Sequence, residues 1–277
     1  MNLHGSTVLI TGASGGIGGA LAAELARRGA NILLSGRDGT RLTALCVRLR
    51  QEGVSVSVLA ADLRQADGIQ RLACAAVSGG VPDIVVHCAG SLAFGSLEET
   101  PDEVIAGLWQ TNVIAPILLT RALLPALRKQ GRGRIVFVGS IFGSLAFPLY
   151  ATYSASKFAL RGFAEALRRE LDGSGVGVTY VAPRYTRTPL NDGAPARVAS
   201  ALALPQDDPE MVARRIADAI ESDRRDLYFG IAERLFVHIN AWFPWLVDRA
   251  LRGQTRRMRA LESAEATPIS RPERGLP

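Results

Sequence analysis

The chain has 277 residues, with 32 basic side chains against 26 acidic ones and a formal charge of +6. That length suits one large α/β domain with its own core, and no run of about eighteen uncharged apolar residues occurs, so no bilayer-spanning segment is expected. Three scattered cysteines and three histidines offer neither a disulfide framework nor a metal site, and no recognition helix, zinc finger or aromatic–basic RNA motif accompanies the positive charge, so no nucleic-acid partner is expected.

Residues 1–5 lead directly into an apolar strand, without the charged-then-apolar layout of a signal peptide, and a cytoplasmic protein is expected. Thr7-Val8-Leu9-Ile10 reads as a buried strand, and residues 17–28 as a helix ended by Gly29. Between them lies Thr11-Gly12-Ala13-Ser14-Gly15-Gly16-Ile17-Gly18. Glycines there let the backbone turn tightly and approach a pyrophosphate, and the helix N-terminus offers unpaired N–H groups to the anion. Placed after a first strand, Gly12, Ser14, Gly15, Gly16, Ile17 and Gly18 form a dinucleotide-binding loop.

A strand over 31–35 ends at Gly36-Arg37. An acidic residue at this point would accept from the ribose 2′-hydroxyl of NAD, whereas Arg37 suits the 2′-phosphate of NADP. The competing reading is a surface arginine paired with Asp38. Helix 39–51, strand 54–60 and helix 64–77 follow. Asp62 and Leu63 stand where the adenine edge would lie, and Asp62 is also placed to cap the next helix. Strand 83–87 closes with Cys88-Ala89-Gly90, a small segment able to pass close to the cofactor. A long helical region over 102–130, broken near Pro116 and Pro125, precedes strand 134–138.

Ser140 ends that strand, where its hydroxyl can hold a substrate oxygen. The next helix, 152–171, carries Tyr153-Ser154-Ala155-Ser156-Lys157. Tyr153 and Lys157 lie four apart on one face. A tyrosine near its ordinary pKa of about 10 is a poor acid–base catalyst at neutral pH. The neighbouring ammonium and the helix N-terminus are expected to bring it down towards 7. One of only two lysines in the chain, the other being Lys129, occupies this spot. Strand 177–181, helix 209–222 and a short strand over 227–229 complete the pattern. Alternating strands and helices imply a doubly wound, Rossmann-type parallel sheet with helices on both faces, formed as a single domain over residues 1–230.

On these motifs the chain resembles the short-chain dehydrogenase/reductase family from about residue 6 to residue 229. The resemblance implies an NAD(P)-dependent enzyme acting on CH–OH groups, with NADP(H) favoured over NAD(H) by Arg37. It implies that Tyr153 is the general acid in reduction and the base in oxidation, that Ser140 orients the carbonyl, and that Lys157 lowers the tyrosine pKa and binds the nicotinamide ribose. Asn112 would hold a water linking Lys157 to solvent. Pro183, Thr186 and Thr188 resemble the segment that seats the nicotinamide carboxamide, followed by a mobile substrate loop over 185–206. The family's usual Asn-Asn-Ala-Gly appears here as His87-Cys88-Ala89-Gly90, with Cys88 near the adenosine ribose. Its frequent Pro-Gly appears as Pro183-Arg184, with Arg184 facing solvent or facing substrate. A homodimer or homotetramer is implied, through helices around 115–129 and 158–171.

Ser140, Phe142, Tyr153 and Tyr185 are the expected substrate contacts, and Phe94, Ile141, Phe147, Tyr150 and Leu190 would join them in an apolar pocket. A lipophilic carbonyl substrate follows, with 3-oxoacyl thioester reduction as the alternative role and a non-catalytic NADP sensor as the alternative of another class. In residues 231–261 apolar side chains recur at helical spacing up to Pro244, followed by Arg249, Arg252, Arg256, Arg257 and Arg259. Three readings stand for this amphipathic extension: a lid, a dimer contact, or a peripheral contact with the inner face of a membrane. Residues 262–277 read as a disordered tail.

Overall fold

The computed structural model describes residues 1–263. Seven strands, β1 (Thr7–Thr11), β2 (Asn31–Gly36), β3 (Val56–Ala60), β4 (Ile84–His87), β5 (Gly133–Val138), β6 (Val176–Ala182) and β7 (Asp226–Tyr228), form one sheet in the order β3-β2-β1-β4-β5-β6-β7. Every pairing is parallel. Successive side chains of a strand point to opposite faces. Val8 and Ile10 therefore join the core under α1 (Gly16–Arg27), α2 (Gly39–Arg50) and α8 (Pro209–Glu221). Leu9 between them joins the core under α3 (Ala66–Ser78), α5 (Ala115–Gln130) and α6 (Ala151–Glu170). This is the doubly wound architecture expected, and the chain order reverses between β1 and β4, where such sheets open a crevice at the strands' carboxyl ends.

The stretch from Asp102 to Gln130 differs from expectation. It is one continuous helical run, α4 (Asp102–Trp109), a π-helical turn Gln110–Ile114, and α5. The prolines do not break it. The Ala115 N–H reaches back five residues to Gln110 O, so the ladder has already shifted register where Pro116 lacks its donor. Pro125 sits on the exposed side, where the carbonyl it leaves unpaired can meet water. By length and composition this run would also suffice to cross a bilayer, which corrects the expectation that no segment would. Its apolar face, with Leu119, Leu123 and Leu127 fully buried, is committed to the core.

Past β6 the chain forms α7 (Ala194–Ala201), a helix inside the segment expected to be a loop. Beyond β7 come α9 (Ile231–Trp242) and α10 (Pro244–Ser263), with Pro244 opening the second helix as the spacing suggested. The tail expected over 262–277 lies outside the described residues, apart from the two that α10 takes in.

Candidate active site

Two adjoining cavities open at the carboxyl ends of the strands. The first, about 550 Å³, is lined by the glycine-rich turn, Arg37, Asp62, Leu63 and the segment Cys88–Gly90. Gly12 has φ +67 and lies so close to β4's end that a Cβ there would sit 2.6 Å from Ala89 Cα. A Cβ on Gly18 would meet Gly12 O at 2.3 Å, so the turn and the first coil of α1 are packed backbone to backbone. Gly15 caps α1 without any side-chain hydrogen bond, which leaves the helix's first N–H groups directed at the cleft. Thr188 crosses from the far side to lie against Gly16. A cleft of this size, with a bare helix terminus and no room for side chains in its cradle, fits a dinucleotide.

Arg37 is exposed at the rim and pairs with no carboxylate among the described residues, because Asp38 instead caps α2 by accepting from Arg41 N at 3.0 Å. Asp62 does not cap α3, whose N-cap is Gln65. It accepts from Arg64 N at 3.0 Å and from the Arg64 guanidinium at 2.8 Å, and this neighbour holds its carboxyl below the usual range. Leu63 is buried beside it. Thr11 Oγ1 accepts from Cys88 N and Ala89 N at 3.1 and 3.2 Å, fastening the small segment to β1. At the family's first Asn position, His87 is buried, stacked on Phe137 with ring centroids 4.9 Å apart, its Nε2 2.9 Å from Thr120 Oγ1.

The second cavity, about 320 Å³, holds Ser140, Tyr153 and Lys157 on its wall and shares Ile17, Cys88, Gly90 and Thr188 with the first. Ser140 follows β5 and accepts from Phe142 N at 3.1 Å. Tyr153, in the first turn of α6, is hydrogen-bonded to the Ser140 side chain. Lys157 Nζ lies 5.6 Å from the Tyr153 ring centroid and donates to Val138 O at 3.3 Å. A Cβ on Gly90 would stand 3.5 Å from Asn112 Oδ1 and 3.7 Å from Lys157 Nζ, so the four expected catalytic positions converge on one point.

One expectation changes here. Burial sets the direction of both shifts: it pushes Tyr153 up to about 12, against the downward pull of the Ser140 hydrogen bond, and it brings Lys157 down to about 8. The phenol therefore keeps its proton at neutral pH. Asn112, in the π-helical turn, grips the backbone of Ser91 through Oδ1 (2.8 Å) and Nδ2 (2.9 Å) and donates to Ser156 Oγ at 3.1 Å. Both its donors are thus engaged in holding the turn against α6, which leaves one lone pair on Oδ1 for a water.

Phe142, Phe147, Tyr150 and Tyr185 line the second cavity as expected, while Phe94 instead packs edge-on against Tyr150 with centroids 5.0 Å apart. Arg184 does not face solvent freely. Its guanidinium forks onto both oxygens of Asp207 (3.0 and 2.8 Å) and reaches Glu233 on α9 at 3.0 Å. This clasp ties the segment after β6 to the C-terminal helices, which supply Phe236, Val247, Leu251 and Met258 to the cavity wall. Pro183 O accepts from Ile141 N at 2.8 Å, and the Thr186 hydroxyl donates to Arg184 O at 3.1 Å. One residue escaped sequence reasoning: Tyr180 on β6, whose hydroxyl donates to Ser140 O at 3.2 Å and faces Ser140 N at 3.5 Å. Gly139 and Gly143 admit it, since a Cβ on either would stand 2.3 or 2.4 Å from that hydroxyl.

Comparison with known proteins agrees with this geometry. The family model described as short chain dehydrogenase matches residues 6–198. The chain is 34% identical over 261 residues to hydroxysteroid 11-beta-dehydrogenase 1-like protein A of Xenopus laevis, covering 90% of this chain and 87% of that protein. It is 32% identical over 260 residues to an uncharacterized oxidoreductase of Bacillus subtilis, covering 90% and 72% respectively. Among solved structures, a short-chain dehydrogenase/reductase from Burkholderia phymatum in complex with NAD superposes with a TM-score of 0.82 at 25% identity, covering 89% of this chain and 96% of that one. A short-chain dehydrogenase from Sphingobium yanoikuyae in complex with NADPH gives 0.75 at 27% identity, covering 98% and 100%.

Proposed function

The chain belongs to the short-chain dehydrogenase family of nicotinamide-dependent oxidoreductases, and on that premise we propose that it reduces a lipophilic ketone or aldehyde with NADPH, using Tyr153 as the proton donor. The observation that carries this reading is the position of the Tyr153–Ser140 pair: it stands where a dinucleotide-sized cleft meets a cavity walled by aromatic and aliphatic side chains. The bare N-terminus of α1 and the loop through Gly12 would hold the pyrophosphate, with Asp62 and Leu63 at the adenine, Cys88, Ala89 and Gly90 at the ribose, and Pro183, Thr186 and Thr188 at the nicotinamide. Arg37, free of any carboxylate partner among the described residues, supports the 2′-phosphate of NADP over the hydroxyl of NAD. When bound, the cofactor supplies the hydride.

The chain's own residues manage the proton. Ser140 positions the substrate oxygen beside the Tyr153 hydroxyl, and burial keeps that phenol protonated, the state required of an acid. Lys157, still mostly charged near neutral pH, supplies positive potential as the substrate oxygen gains electron density. A homo-oligomer through the outer faces of α5 and α6, with Phe158 exposed on α6 and Ile114 exposed just ahead of α5, accompanies this reading.

The test follows NADPH consumption by purified protein across steroids, retinoids, quinones, aliphatic aldehydes and 3-oxoacyl thioesters. Turnover of apolar carbonyls is expected, and Tyr153→Phe should lower it by about 10²–10⁴-fold while cofactor binding persists. Equal turnover in that variant removes Tyr153 from the chemistry. A parent protein that binds NADPH and reduces nothing in the panel would instead be a cofactor sensor.

A further inference from the structure

Helices α9 and α10 expose apolar surface that no other described residue covers. Ile231, Leu235 and Trp242 recur on one face of α9 and are 93%, 59% and 79% exposed. Phe243, Trp245 and Leu246 are exposed at the corner where α9 passes into α10. Helix α10 itself is two-sided. Val247, Leu251 and Met258 repeat at helical period towards the apolar cavity. Trp245, Arg249, Arg252, Arg256 and Arg259 repeat at the same period on the opposite side, all exposed. None of these four arginines pairs with a carboxylate among the described residues, and neither does Arg234 on α9.

We propose that the α9–α10 corner docks on an anionic lipid bilayer, with Trp242, Phe243 and Trp245 in the acyl boundary and the arginine row against the headgroups. Tryptophan suits that depth because its ring is apolar and its N–H is polar. Charge selects the bilayer over a second copy of the chain. A two-fold contact through this face would set one arginine row against the other, and the only carboxylates between residues 231 and 260 are Glu233, held by Arg184, and Asp248. An anionic surface supplies the missing sign. Phe236 belongs both to the exposed surface and to the cavity wall, so docking sets the cavity beside the lipid. Uptake of an apolar carbonyl from the bilayer then rests on the reductase reading; the docking does not.

The experiment floats the full-length protein with vesicles of phosphatidylcholine, alone or doped with phosphatidylglycerol, at low and high salt. The protein should rise with the doped vesicles at low salt only. Trp242→Ser with Trp245→Ser should abolish this, and Arg249→Gln with Arg252→Gln and Arg256→Gln should weaken partitioning by about a hundredfold, from roughly fivefold per arginine. NADPH binding, measured on every variant, reports folding and keeps a failure of docking distinct from a failure of the redox reading. Absence of flotation by the parent overturns the proposal, as does flotation that neither variant reduces. A dimer in sedimentation that the double tryptophan variant abolishes, with no vesicle binding by the parent, reassigns the face to self-association.

Discussion

Replacing His87 by asparagine, the residue the family usually carries there, should remove about 2 kcal/mol of the stability lost between pH 8 and pH 5. The imidazole lies buried between the Phe137 ring and Thr120, and burial alone brings its pKa down to about 3. In the unfolded chain it titrates at about 6.5. Below that value the unfolded state takes up a proton that the native state refuses, so stability falls as pH drops from about 6.5 towards 3, by about 1.4 kcal/mol per unit. At pH 5 the deficit from this one residue is about 2 kcal/mol relative to pH 8, and it depends only on the native pKa lying well below 5. Urea unfolding of the parent and of His87→Asn at both pH values measures it. Carboxylates elsewhere contribute equally to the two proteins, so the difference between the two pH-induced losses isolates His87. If the variant loses as much stability between pH 8 and pH 5 as the parent, the imidazole is not held neutral and the reasoning fails.

Arg37→Leu should raise the KM for NADPH by about ten- to hundredfold, the loss of a charge-assisted contact of roughly 1.5–3 kcal/mol, and leave the KM for NADH nearly unchanged; equal effects on both cofactors would place Arg37 away from the 2′-phosphate. The single change is preferable to adding Gly36→Asp, since a Cβ on Gly36 already stands 3.1 Å from Ser14 Oγ. Lys157, brought down to about 8 by burial, loses its charge as pH rises through that value, so kcat/KM for reduction should hold steady between about pH 6 and 7.5 and decline above about 8; a profile flat to pH 10 would contradict it. Tyr180→Phe should lower kcat about fivefold, from the loss of roughly 1 kcal/mol of hydrogen bonding at Ser140, with cofactor KM unmoved; loss of cofactor affinity instead would point to general disruption of the sheet.

The sheet and the cofactor cleft were legible in the sequence because they depend on local signals. Strands such as Thr7–Thr11 are short apolar runs, and the glycine-rich turn follows from the room the backbone needs. Tyr153 and Lys157 were legible because one helical turn separates them. What escaped depended on distant partners or on burial. The Arg184 clasp joins residues 23 and 49 positions apart, and no neighbour in sequence announces it. Tyr153's upward shift comes from its burial, whereas its four-residue spacing from Lys157 suggested the opposite direction. Asp62 looked like a cap because it precedes a helix, but Arg64, two residues on, captures it. Pro116 and Pro125 looked like breaks, since the sequence gives no sign of a register shift ahead of one or of an exposed side for the other.

The two cavities draw on different lengths of the chain. The dinucleotide cleft takes its lining from residues 12 to 190, while the neighbouring chamber needs side chains as far on as Met258, held in place through the Arg184 clasp to Glu233. A chain that ends after β7 carries every strand of the sheet and every residue lining the cleft, while the chamber lacks the wall that α9 and α10 supply. The cleft is thus complete in the chain before the chamber beside it, and proteins truncated after residue 230 and after residue 263 should both bind nucleotide, with the walled chamber present only in the longer one.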